Sequence, residues 1–217
     1  MPRPLGGNES LPPAENTLSA FEWAVTNGCD GVEFDVRFTR DRRAVLCHDP
    51  EVGGREISTT DYTDLVRLGL NPACLGDVLE SFADSAYLDI ELKVGGNEEL
   101  VIAALRAKPP SRGYVVSSFF PEILLHLNQI DSSVPLGFIC ERREYLGAWS
   151  KLPIMVLIPH YKLVSEKLID AVHQHGVKLF GWTVNQRRDL LLLAKWGVDG
   201  LISDDPRPLS NTFLQRR

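Results

Sequence analysis

Gly31-Val32-Glu33-Phe34-Asp35-Val36 and Leu88-Asp89-Ile90-Glu91-Leu92-Lys93 are two short runs in which charged residues alternate with large apolar ones. Side chains two apart on a β-strand leave the same face. As strands, the first presents Glu33 and Asp35 on one side with Val32, Phe34 and Val36 on the other, and the second presents Glu91 and Lys93 opposite Ile90 and Leu92. Three carboxylates on inward faces require partners, because an unpaired buried charge is costly even after relaxation. A divalent cation with hard oxygen ligands satisfies them together. Either run alone reads equally well as the polar face of a half-solvated sheet, so the surrounding sequence decides.

Strand-like apolar runs recur at 31–36, 44–48, 87–93, 114–119, 134–140, 154–159, 177–184 and 198–203, with helical patterns expected near 16–27, 75–83, 97–107, 121–129, 164–175 and 187–196. Such alternation predicts a parallel sheet with crossover helices. One connection differs. Only seven residues, Arg37 to Arg43, separate the first two runs, whereas a parallel crossover needs about a dozen or more. These two strands should therefore form an antiparallel hairpin, leaving seven parallel strands. A closed barrel of this kind wants about eight, and the remaining strand should precede the helix at residue 16. There the chain offers mainly Pro, Gly and polar residues, and residues 1–13 are expected to be loosely ordered.

At 217 residues, 44% hydrophobic and 24% charged, the whole chain, 1–217, reads as a single domain with one substantial core. A net charge of -6 with scattered basic residues argues against nucleic acid or an anionic membrane as partner. Cys29, Cys47, Cys74 and Cys140 are far apart and form no Cys-x-x-Cys pair, which points to buried free thiols. The N-terminus lacks the apolar core of a signal peptide, and no run approaches a membrane span, so a soluble, cytoplasmic chain without a stable membrane anchor is expected.

Several stretches in order, Ala14-Glu15-Asn16-Thr17-Leu18-Ser19-Ala20-Phe21, Gly31 to Val36, Cys47-His48-Asp49, Asp89 to Lys93, Ser117-Ser118-Phe119, Gly181-Trp182-Thr183-Val184-Asn185 and Gly200-Leu201-Ile202-Ser203-Asp204, resemble the glycerophosphodiester phosphodiesterase family. The resemblance runs from residue 14 to about 206 and implies an α/β fold, a TIM-type (β/α)8 barrel of the phospholipase C-like phosphodiesterase type, with a metal at the C-terminal ends of the strands. It implies that Glu33, Asp35 and Glu91 are metal ligands for Mg2+ or Ca2+, that His48 is the catalytic acid, that Lys93 contacts phosphate and that Trp182 walls the substrate pocket. Without the family match, His48 reads first as a surface histidine bonded to Asp49. His126, His173 and His175 fall on expected helices, where solvent exposure is the ordinary explanation, and His160 ends a strand beside Tyr161. Glu15 either stabilises the helix that follows it or reaches the site.

The family opens with a strand ending His-Arg-Gly, and this chain has neither that histidine nor that arginine ahead of Glu15. The absent strand and the absent pair agree: either the chain begins inside the first strand or it has lost it. The implied activity is metal-dependent hydrolysis of a small-molecule glycerophosphodiester to glycerol phosphate and an alcohol, impaired in this chain. The alternative is an inactive barrel that binds metal or phosphodiester without turnover. Exposed strand edges would favour an oligomer.

Overall fold

The alternation of strands and helices is realised as a curled sheet covered by helices. The computed structural model describes residues 13–213, so the head expected to be loosely ordered, Pro13 excepted, and the expected position of a first strand lie outside the described residues. In chain order the elements are α1 (Leu18–Thr26), β1 (Gly31–Phe38), β2 (Ala44–Leu46), β3 (Glu51–Val52), β4 (Arg55–Glu56), α2 (Tyr62–Arg67), α3 (Leu75–Phe82), β5 (Tyr87–Leu92), α4 (Glu98–Ala107), β6 (Tyr114–Ser118), α5 (Pro121–Ile130), β7 (Leu136–Cys140), α6 (Arg143–Leu146), β8 (Val156–Pro159), α7 (Glu166–His173), β9 (Lys178–Gly181), α8 (Arg187–Trp196), β10 (Gly200–Leu201) and α9 (Pro206–Phe213).

Local chemistry sets several of these ends. Thr17 starts α1 by accepting from the Ala20 N–H at 3.2 Å, and Ser165 does the same for α7 through Leu168. Pro121 occupies the first turn of α5, where its missing N–H has no intrahelical partner to lose. Gly197, at φ +93, ends α8 in the left-handed conformation that glycine adopts without strain.

Eight strands form one sheet in the order β10-β9-β8-β7-β6-β5-β1-β2, parallel throughout except for the β1–β2 hairpin. The hairpin pairs Val36 with Leu46 and Phe38 with Ala44. Its turn is held by Thr39, whose Oγ1 accepts from the Arg43 N–H at 2.9 Å and donates to Asp41 at 2.6 Å. Among the described residues no strand pairs with the outer edge of β10 or with the other edge of β1 over residues 31–35. These edges border a cavity of about 1090 Å³ lined by Glu33 and Asp35 on one side and by residues 200–204 on the other.

Alternate residues of each strand divide the molecule into two apolar regions. Phe34, Val36, Leu88, Ile90 and Leu92 face the helices and join Phe21, Leu79, Val101, Leu124 and Leu190 in the main core. Burying each such side chain contributes about 1.5–3 kcal/mol. Val115, Ile139, Val156 and Ile158 form the smaller interior cluster, edged by Tyr87, Phe119, Phe180 and Trp182. The interior is tight: a Cβ on Gly137 would fall 2.9 Å from Ile158 Cδ1 and 3.0 Å from Val115 Cγ2, which is why this position takes glycine.

Two expectations require correction. All four cysteines are free, but only Cys140 is buried, while Cys29, Cys47 and Cys74 are partly exposed. The helix expected near 75–83 is α3, while the β3–β4 hairpin and α2, between 51 and 67, are additional elements too short for a periodic signal. The last strand is only Gly200–Leu201, since its outer edge finds no strand among the described residues. No described helix is long and apolar enough to cross a membrane.

Candidate functional site

Register brings the two opening runs together. The parallel pairing of β1 with β5 sets Glu33 beside Asp89 and Asp35 beside Glu91, and it ends at Val36 opposite Leu92. Glu33, Asp35 and Glu91 thereby place one carboxylate oxygen each within 4.8 Å of one another. Asp35 and Glu91 are each 6% exposed. Lys93, immediately beyond β5, lies 2.9 Å from Asp35 Oδ1 and 2.7 Å from Glu91 Oε1 through its Nζ. Four of the six residues proposed from sequence, Glu33, Asp35, Glu91 and Lys93, thus meet at one point.

The charge density is legible in the protonation equilibria. Burial, followed by the charges of Asp35, Asp89 and Glu91, pushes Glu33 well above the ordinary carboxylate value. Burial also raises Asp89, to about 7, against the opposing bond from Ser117. Glu91 is raised by burial, with Lys93 opposing. For Lys93, burial works against the charge, but Glu91 and Asp35 outweigh it and hold the ammonium above its usual value. Glu33 Oε1 and Asp89 Oδ2 are shut off from water without a hydrogen-bond partner among the described residues. Clustered hard oxygens, raised carboxylates and an unpartnered inward oxygen fit a divalent cation held by Glu33, Asp35 and Glu91.

Residues not singled out from sequence complete the arrangement. Asn16 donates from Nδ2 to Asp35 Oδ2 at 2.8 Å and accepts from the Asp35 N–H at 2.9 Å through Oδ1. It sits at φ +56, a conformation asparagine tolerates better than most residues. Thr17 caps α1, which leaves Asn16 to bind Asp35. Asp89, two residues before Glu91, shares its face and accepts from Ser117 Oγ at 2.5 Å. Extending the two-residue alternation by one step would have found it.

Asn16→Ala removes both bonds to Asp35 and should weaken divalent-cation affinity about tenfold or more, by the usual effect of freeing a ligand from its support; titration calorimetry measures this. Asp89 gives a pH signature. The folded protein keeps its proton up to about pH 7, whereas an unfolded chain releases it near the ordinary 3.8. Between those values the folded state binds more protons, so stability of the cation-free protein should fall as pH rises from about 4 to about 7 and level off above. Asp89 alone contributes at most about 4 kcal/mol to that fall. Asp89→Asn should make that fall shallower in thermal melts with chelator present, leaving the share of Glu33 and Glu91, and an unchanged slope would show that Asp89 is ionised throughout.

His48 follows β2 at the same end of the sheet. Its side chain is 57% exposed, and Nδ1 lies 2.9 Å from Asp49 Oδ1. The bond to Asp49 expected of a surface histidine is therefore present, and it also orients the ring. Arg37 donates to the His48 carbonyl from Nε at 3.0 Å and Nη2 at 2.7 Å. When protonated, His48 is close enough to lower the pKa of Glu91. Trp182 donates from Nε1 to the Ile158 carbonyl at 2.9 Å and meets Phe119 and His160 edge-on, each at 5.5 Å between centroids. Lys93 Nζ lies 5.7 Å from the Phe119 ring centre, so the aromatic wall adjoins the charged cluster. His160 is lowered from its usual value by burial and by Lys162.

His126 is exposed on α5, as expected of a helical histidine. Its Nδ1 lies 3.2 Å from the buried Glu98, beside the turn that follows Lys93. Glu15 is exposed and borders the large cavity.

The model of the glycerophosphoryl diester phosphodiesterase family matches residues 6–93 and 98–207. The chain is 30% identical over 230 residues to a glycerophosphodiester phosphodiesterase of Caldanaerobacter subterraneus subsp. tengcongensis, covering 95% of this chain and 94% of that protein. It is 32% identical to human glycerophosphodiester phosphodiesterase 1, over 83% of this chain and 70% of that one. Among solved structures, a glycerophosphodiester phosphodiesterase from Parabacteroides distasonis superposes with a TM-score of 0.81 at 21% identity, covering 96% and 93% of the two chains. An Oleispira antarctica phosphodiesterase in complex with the product sn-glycerol-3-phosphate gives 0.80 at 20% identity, covering 91% and 90%.

Proposed function

Because the chain belongs to the glycerophosphoryl diester phosphodiesterase family, we propose that it hydrolyses glycerophosphodiesters to glycerol phosphate and an alcohol in the cytoplasm, with Mg2+ or Ca2+ held by Glu33, Asp35 and Glu91. The observation that carries this reading is the meeting of those carboxylates with Lys93 at the C-terminal ends of parallel strands. Bound there, the cation would polarise phosphate oxygens and offset their developing charge.

The remaining work falls to the chain's own side chains. Three carboxylates with one divalent ion sum to about -1, and Lys93 balances that charge so that an anionic diester can approach. Its Nζ, already beside Asp35 and Glu91, is placed to contact a phosphate oxygen. His48, oriented by Asp49 and tethered through its carbonyl to Arg37, donates a proton to the departing alkoxide from its exposed Nε2 side. Trp182 and Phe119 supply the apolar wall for the carbon skeleton. Proton removal from the attacking water lacks the family's opening histidine. His160, whose pKa is lowered by burial, stands edge-on to Trp182 and is the candidate to take that proton.

A second reading is a barrel that binds cation and phosphodiester without hydrolysing them. It is favoured by one observation: no histidine precedes His48 in the sequence. Release of glycerol phosphate from glycerophosphodiesters at saturating Mg2+ or Ca2+ separates the two. His48→Ala should slow poor alcohol leaving groups by about 10²–10⁴, yet barely affect a nitrophenolate, which departs without a proton. Equal losses on both substrates would remove His48 from the acid role.

A further inference from the structure

One buried carboxylate outside the cation cluster has no part in the chemistry above. Glu98, the first residue of α4, is 2% exposed, on the helix face that turns Val101, Ile102 and Leu105 into the core. Burying an ionised carboxylate is unfavourable, and an apolar residue would serve packing there at least as well. What the carboxylate holds is a turn. Its Oε2 accepts from the Gly96 N–H at 2.9 Å and lies 3.2 Å from His126 Nδ1 on α5. Its Oε1 rests against Gly95, where a Cβ would fall 2.9 Å away, and Gly96 sits at φ +94. Both glycines are thus tied to this arrangement, one by close approach and the other by backbone conformation.

The turn held in this way, residues 93–97, begins at the lysine whose ammonium bridges Asp35 and Glu91. Its far end is secured from the β1–β2 hairpin, where Arg42 donates to Asn97 Oδ1 at 2.7 Å and pairs with Glu99. Beside the turn lies a crevice of about 480 Å³ bordered by Lys93, Gly95, Gly96, Glu98, Phe120 and His126, so the backbone has room to move if the Glu98 anchor is lost. Lys93 reaches its partners on a flexible four-carbon stem, and the position of its backbone decides where the ammonium can sit. The carboxylates of β1 and β5 are fixed by the sheet ladder and lie beyond Glu98's leverage.

We propose that Glu98, held by His126, is a positioning residue for Lys93, setting the backbone from which Lys93 contacts phosphate. The proposal rests on the reading of Lys93 as the phosphate contact. Its signature is a loss of phosphate-ligand affinity without a loss of cation affinity. Calorimetry with sn-glycerol 3-phosphate on Mg2+-loaded protein, alongside Mg2+ titration of the free protein, reads both. Glu98→Ala should weaken the glycerol phosphate affinity about tenfold and leave the Mg2+ affinity within about twofold. Glu98→Gln, which keeps the acceptor for Gly96, should recover most of the loss. In a Lys93→Met background Glu98→Ala should add nothing, because the two act on one contact. Should Glu98→Ala fail to fold, Gly95→Ala displaces the carboxylate without removing it and should reproduce the same loss. Parent-like affinity in the variant, additive losses with Lys93→Met, or a parallel fall in Mg2+ affinity would each overturn the proposal. If Lys93→Met itself binds glycerol phosphate normally, the phosphate-contact reading falls and this inference with it; if Lys93→Met weakens binding and Glu98→Ala does not, only the inference falls.

Discussion

Glu91→Ala should abolish divalent-cation binding, weakening affinity by about 100-fold or more, and should lower phosphodiesterase activity by about 10³-fold. Glu91 is one of three carboxylates whose oxygens lie within 4.8 Å, and register fixes it beside Asp35. Asp35 and Glu33 alone would leave a divalent ion with too few charged ligands to displace its water. The substitution should not unfold the protein, because it removes one of four crowded carboxylates and relieves Glu33, which the others push upward. Lys93 keeps Asp35 as a partner. The thermal melt makes this concrete. In the parent, a cation at a hundred times its Kd should add about 2.7 kcal/mol of stability, whereas the variant should melt at the same temperature with or without Mg2+ or Ca2+. A variant that binds either ion as tightly as the parent would reduce the cluster to a polar face.

Fusing a strand that ends in His-Arg-Gly ahead of the described residues should raise the rate by about 10²–10⁴ and raise the melting temperature as well. The two effects have separate causes. An added strand can pair with the edges of β1 and β10 that no described strand covers, across the cavity of about 1090 Å³ that they border, which closes the barrel. Its histidine supplies an acid–base group opposite His48, and its arginine a second phosphate clamp. Comparing the two proteins by melt and by glycerol phosphate release distinguishes these contributions. If the chain without the addition already turns over at about 1–10³ s⁻¹, another group removes the proton from water, and His160→Ala becomes the decisive variant.

Strand alternation was legible because its period of two is short enough to register within six residues: Glu33, Asp35 and Glu91 could be assigned to one face before their neighbours were known. The hairpin was legible from loop length alone, since seven residues cannot carry a crossover. Asn16 was not, because its bonds span 19 positions and nothing local distinguishes a cap from a ligand's support. Arg37 was missed for a related reason: it reaches a backbone carbonyl, which carries no residue identity to be read. His126 and Glu98 lie on separate helices, and only the packing of α4 on α5 brings them together.

The hairpin carries a consequence for how such a site can change. His48 is delivered by the one strand that runs against all the others, while the carboxylates stand on parallel strands. A two-residue slip along the β1–β2 pairing would preserve every facing relationship, yet it would carry His48 about 7 Å along the mouth. The length of the segment from Thr39 to Arg43 therefore acts as an adjustable arm. Changing it would shift His48 against the carboxylates and, because Arg42 within it bonds Asn97 and pairs with Glu99, would also pull on the turn that follows Lys93.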